Sequence, residues 1–279
     1  MKMRFYDYFE RNDKDPARNL YCDLLHFLVA ITASLALASC TTIRTPQKYV
    51  SPDKSFSVAV EGGVLTYRGL LMKRGVDQAE KYLAEHPSVS VLAIESQGGE
   101  VTEGMRLGDL VLARSMDVRV IGSICASSCA NYVFVSGRQK FIEPGALLTW
   151  HGSPLRPQDM PITATVVDSD GHSESKEYKG EALLEYLKRP EIAISVERDR
   201  KEQMEFFRAR RVDGRITVFG QEIGCDCQWT LTVEDMGKFG VDGVYADSSY
   251  PNAAPLLKEL SVVTLRLKDY PGHVSGGKD

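Results

Sequence analysis

Residues 122–137 read Gly-Ser-Ile-Cys-Ala-Ser-Ser-Cys-Ala-Asn-Tyr-Val-Phe-Val-Ser-Gly, and this stretch decides the fold. The run 118–122 leading into it is apolar and β-branched and reads as a strand. Residues 129–135 read as a helix. Ser127 and Ser128 therefore fall where a strand gives way to a helix N-terminus. At such a corner the first N–H groups have no partner in the helix, and the positive end of its dipole faces outward. A serine hydroxyl is a weak nucleophile. It needs a neighbouring base, most often histidine, and fixed N–H donors for the oxyanion it creates.

Both partners appear on either side. Upstream, 89–94 is a short apolar run readable as a buried strand. It meets the turn Ser96-Gln97-Gly98-Gly99 and then a helical stretch over 102–114. Glycines after a strand let the backbone aim its N–H groups at a substrate with no side chain in the way. Downstream, strands over 140–142 and 147–150 end in Trp150-His151-Gly152. Further out, 56–60 and 64–67 flank Gly62-Gly63 as a hairpin, and 73–86 has helical spacing up to Pro87. This repetition of two strands and a helix predicts an α/β domain with a largely parallel sheet. Beyond it, 154–175 is a polar excursion or short hairpin. Charged helices over 181–188 and 191–211, broken at Pro190, read as solvated or oligomer-facing. A strand is expected over 216–219 and a helix over 232–239.

These motifs, in this order, resemble the ClpP family of the ClpP/crotonase superfamily. Ile94 to Met105 resembles N-S-P-G-G-x-V-x-x-G-M, and 122–137 resembles G-x-A-A-S-M-G-A-x-x-x-x-A-G. Residues 141–154 resemble F-x-x-P-x-x-x-x-x-H-x-P, and 232–242 resemble S-A-x-E-A-x-x-x-G-L-V-D. The likeness is closer still to exported ClpP-like proteins with a C-A-S-x-C motif. It implies a spiral of β-β-α units over 56–250, a divergent stretch at 155–218, an added charged helix, and a tail over 251–279. It lays the catalytic serine on Ser128 and the histidine on His151. Gly98 or Gly99, with Cys129, would supply the oxyanion N–H groups. The family's aspartate falls near Ile223, which cannot act, so Asp226 is the expected third member; a Ser–His dyad or an inactive site are the alternatives. Gln97 stands where the family has proline, and cysteines flank the serine.

Those cysteines form close pairs, Cys125/Cys129 and Cys225/Cys227. In an oxidising compartment each pair could bond within itself, or the two could cross-link and pin the Asp226 loop beside the nucleophile. With no histidine cluster nearby, their spacing is not that of a zinc site. No metal or cofactor is expected.

Residues 24–39 form an apolar run too short for a spanning helix and suited to a signal-peptide core. It ends in Leu37-Ala38-Ser39-Cys40, which resembles a bacterial lipobox with Cys40 as the lipidated residue. The segment before it carries five basic and five acidic residues, so the usual positive excess is missing. The expectation is a signal or anchor over 1–40, a tether over 41–55, and a domain on the periplasmic face of a bacterial membrane. The chain has 279 residues, 43% hydrophobic and 26% charged, with a net charge of −4 and no long basic block. That argues against a nucleic-acid partner. The expected activity is a serine-type peptidase acting on peptide or protein substrates, with homo-oligomers a feature of the resembled family. The alternatives are a binding or scaffold lipoprotein that keeps the fold, and a crotonase-type acyl-CoA enzyme, which an exported location argues against.

Overall fold

A computed structural model describes residues 56–157, 159–160, 162–167 and 173–273. The signal and tether expected over 1–55, Cys40 included, lie outside the described residues. The chain is α/β, built on a seven-stranded sheet. Strands β1 (Phe56–Glu61) and β2 (Val64–Gly69) form the antiparallel hairpin expected around Gly62-Gly63. From β2 onward every pairing is parallel, through β3 (Val91–Ser96), β4 (Asp117–Ala126), β5 (Lys140–Ile142) and β10 (Val244–Ala246). A short strand, β6 (Leu147–Thr149), pairs with the far end of β4.

Helix α1 (Lys73–Glu85) turns Val76, Ala79 and Leu83 into the core. Helix α2 (Val101–Ala113) buries Leu107 and Val111, and it carries Gly104 and Gly108 four residues apart, on one face. A Cβ on Gly104 would lie 2.9 Å from the Ser128 Cβ. The bare face therefore lets α2 run directly against the turn that follows β4. That turn is a π-helical stretch over Cys129–Val133, wholly buried, running into a 3-10 turn over Phe134–Ser136.

β4 is longer than the expected 118–122 and reaches Ala126. Gly122, at φ +65, bends it around the Glu95 carboxylate, which accepts from Ser123 N–H at 2.9 Å and pairs with Arg68. The register against β3 shifts at this point, between Ile94 and Ser96. A bulged strand of this kind re-aims the residues that follow it.

The excursion after 154 holds a hairpin of β7 (Ile162–Val167) and β8 (Ser173–Tyr178), then α3 (Gly180–Leu187) and α4 (Pro190–Arg210). α4 is not simply a solvated helix, because Phe206 and Phe207 pack on Tyr132 beneath the π-turn. The strand expected over 216–219 is instead a 3-10 turn (Gly214–Thr217) followed by α5 (Phe219–Glu222). Asp213 accepts from the Arg215 N–H and starts that turn. After β9 (Trp229–Leu231) and α6 (Val233–Lys238) the chain continues past residue 250. Short helix α7 (Leu256–Glu259) leads to β11 (Val263–Leu265), which pairs in parallel with β9, and Leu265 and Leu267 are buried in the main core.

Candidate functional site

The C-terminal ends of β4 and β6 meet side by side. Cys125 faces Leu148 and Ala126 faces Thr149. One residue on, Ser127 N–H donates to Thr149 O at 3.2 Å. Ser127 sits at φ +53, in the left-handed region that side-chain-bearing residues rarely adopt. Such a conformation costs on the order of 1–3 kcal/mol and persists only where the surroundings enforce it. Here the enforcement is visible. The Asn131 N–H bonds to Ser127 O at 2.7 Å, and a disulfide between Cys125 and Cys129 closes around the corner. The corner lifts Ser127 to a half-buried position. Among the described residues its hydroxyl has no hydrogen-bond partner.

Ser128 is placed differently. It is 2% exposed, and its Oγ donates to Gly99 O at 2.9 Å. Its side chain thus ties the glycine turn to the serine corner and faces α2. The structure brings Ser127, Ser128, Gly98 and Gly99 together: a Cβ on Gly98 would lie 2.6 Å from the Ser127 Cβ. Gly98 and Gly99 have φ of +100 and +148, and a Cβ on Gly99 would strike the Leu71 backbone, so both positions require glycine. Gly98 N–H is taken by Ser96 Oγ at 3.1 Å. Neither Gly99 N–H nor Ser128 N–H has an acceptor among the described residues.

His151 leaves the sheet at the same end. Trp150 and Trp229, both fully buried, exchange backbone hydrogen bonds of 2.8 and 2.9 Å and fix the residue just before it. His151 itself is half-buried. Two amides hold its carbonyl and the next: Gln221 Nε2 donates to His151 O at 3.3 Å, and buried Asn131 donates to Gly152 O at 3.0 Å. Gly152, at φ +135, leaves room for the Gln221 amide.

The cysteines pair within each couple, Cys125 with Cys129 and Cys225 with Cys227, so the cross-link between the two couples is not formed. Asp226 sits exposed on the loop between its two cysteines, and the neighbouring Glu222 is engaged by Arg215 at 2.8 Å. Cys129 begins the π-turn and is fully buried. Sequence reasoning passed over Ser127, Gln221 and Asn131. A signal for the first was present. Laying A-A-S-M-G-A on Cys125 to Ala130 puts the serine on Ser127, whereas ending the pattern on Gly137 puts it on Ser128; either way two residues are inserted across 122–137.

No family model and no curated protein sequence matches the chain. Among solved structures, it is similar to a ClpP1 variant from Listeria monocytogenes at 17% identity and a TM-score of 0.40, covering 67% of this chain and 92% of that one. A membrane-bound stomatin-specific protease in complex with a substrate peptide aligns at 18% identity and a TM-score of 0.36, over 69% and 76% of the two chains. An enoyl-CoA hydratase from Mycobacterium avium subsp. paratuberculosis aligns at 20% identity and a TM-score of 0.29, over 36% and 48%. The chain thus spans about half the length of that hydratase. ClpP and crotonase folds are therefore the chain's structural neighbours.

Proposed function

We propose that the protein is a serine-type hydrolase, a peptidase, with Ser127 as nucleophile. One observation carries this: Ser127 is held in a left-handed strand-to-helix corner, with its hydroxyl unpartnered among the described residues, beside the strand that leads to His151 two residues on. A nucleophile on such a turn stands clear of the backbone and can be approached by a substrate carbonyl. In the proposed step Ser127 Oγ bonds to the carbonyl carbon as its proton passes to His151. The oxyanion is held by the N–H groups of Gly99 and Ser128. His151 returns the proton to the leaving amine, and water then releases the acyl group by the same route.

The neighbouring hydroxyl, Ser128, serves as a strut. Its bond to Gly99 O holds the two oxyanion donors in fixed relation. Gln221 and Asn131 position the His151 segment through its carbonyls. Asp226 has no part in the chemistry in this reading. The protein acts on peptides or unfolded segments outside the cytoplasm and is held at the membrane through Cys40 or the apolar segment before it. Among the described residues no helix is long and apolar enough to cross a membrane. Hydrolysis of an unfolded protein such as reduced casein by the full chain in detergent tests the proposal. Release of new N-termini that disappears in Ser127→Ala and in His151→Ala supports it. Equal hydrolysis by Ser127→Ala overturns it.

A further inference from the structure

The opposite end of the same strands holds a feature that catalysis does not use. Lys140 opens β5 and faces Val118, eight residues back from Ala126, or roughly 25 Å along a strand. There a cavity of about 370 Å³ opens between the end of α4, the start of β5 and the loop before β10. Four cations line it, Arg138, Lys140, Arg210 and Arg211, against one carboxylate, Asp242.

The four are not equivalent. Arg138 makes a paired contact with Asp117 at 2.9 and 3.0 Å. Arg210 pairs with Asp109 at 2.7 Å, donates to Ser136 Oγ, and lies over the Phe206 ring. Each has its own carboxylate. Lys140 is 5% exposed, and among the described residues its ammonium has one hydrogen-bond partner, the backbone carbonyl of Asp242, at 2.8 Å. No carboxylate lies within ion-pair distance of it among the described residues. Burial holds its ammonium below the ordinary lysine range, and the more distant Asp242 carboxylate only partly opposes this. Arg211, at the C-terminal cap of α4, likewise has no ion pair among the described residues.

A buried cation without a counter-charge is costly, and proteins normally supply the partner. Here the chain does not, and the space beside Lys140 is a cavity. Lys140 keeps two N–H donors beyond its bond to Asp242 O, and Arg211 offers a fork of donors. That donor set matches an oxyanion with several acceptor atoms. We propose that this cavity binds a phosphate group, with Lys140 Nζ and the Arg211 guanidinium as its cationic contacts. It is large enough for a phosphate bearing a small ester group, and Val212 and Leu112 give the ester an apolar wall.

The test is calorimetric titration of the full chain in detergent, at constant ionic strength with chloride as the control anion. The titrants are inorganic phosphate, glycerol 3-phosphate and a short-chain phosphatidylglycerol. Saturable binding of at least one is expected. Arg211→Gln and Lys140→Gln should each weaken it about tenfold, the loss of one charge-assisted contact. Arg211 is exposed, so its variant should melt like the parent without ligand and keeps the test valid if the lysine variant misfolds. Tighter binding of the monoester identifies a soluble phosphate ligand; tighter binding of the diester identifies a lipid headgroup. No saturable binding of any titrant, or unchanged affinity in Arg211→Gln, overturns the proposal.

Discussion

The two cysteine couples make an informative contrast. Cys125 and Cys129 are fully buried and enclose the corner that carries Ser127 and Ser128. Cys225 and Cys227 are half-buried on a loop whose central residue, Asp226, points to solvent. Both rings are short, so chain entropy alone gives each a similar, small effect on stability. What separates them is what each encloses. The first lies in the packed core and constrains a half-buried residue, Ser127, in a strained backbone conformation. The second constrains a loop whose central residue, Asp226, is exposed. Proximity of cysteines in sequence therefore says little, and burial and backbone torsion say which couple matters.

The sharpest way to break this contrast is at the enclosed serines. Ser127→Ala should lower hydrolysis by at least ~10³-fold, the scale of losing a nucleophile, with little change in melting temperature. Ser128→Ala should do the reverse. It removes a buried hydrogen bond worth about 1 kcal/mol and loosens the strut between the two oxyanion donors, so kcat should fall only several-fold while melting temperature drops. Next comes the disulfide. Replacing Cys125 and Cys129 together by alanine removes a five-residue ring, costing about 2 kcal/mol by chain entropy, and frees Ser127 from its corner. Thermal melting should record the first effect and a fall in kcat the second. Replacing Cys225 and Cys227 should leave kcat within about twofold, because among the described residues no hydrogen bond joins their loop to the corner.

The smaller effects lie outside both couples. Asp226→Asn should leave kcat and KM unchanged, where a triad aspartate would cost orders of magnitude. Smallest of all is the Arg138–Asp117 pair at the far end of β4. Arg138 holds the Asp117 carboxyl below its ordinary value. The pair thus favours the folded state above the ordinary aspartate range and loses that contribution as pH falls through the lowered value. In Arg138→Gln, melting temperature measured against pH should lose part of its acid-side slope.

Much of this was legible in the sequence, for identifiable reasons. The hairpin at Gly62-Gly63, helices α1 and α2, and the strand before Gly98-Gly99 follow from short-range periodicity and glycine placement. The order of the glycine turn, the serine corner and His151 was legible as well. Residues 216–219 were not, because a four-residue run with three apolar side chains is too short to distinguish a strand from a buried turn, and the Asp213 cap decides the matter. β11 was missed because three residues pair with a strand more than thirty positions away. The choice between Ser127 and Ser128 rests on a backbone torsion and a hydrogen bond to Gly99, which residue spacing does not encode. The lone carbonyl bond of Lys140 is equally invisible until the strands are assembled.

The central claim is that the corner serine, Ser127, is the reactive one. A fluorophosphonate probe, applied to the folded and oxidised full chain and followed by peptide mapping, tests it directly. A single adduct on Ser127 is expected, absent in Ser127→Ala and present in Ser128→Ala. Labelling that persists in Ser127→Ala and disappears in Ser128→Ala, or no adduct at all on the folded protein, would contradict it.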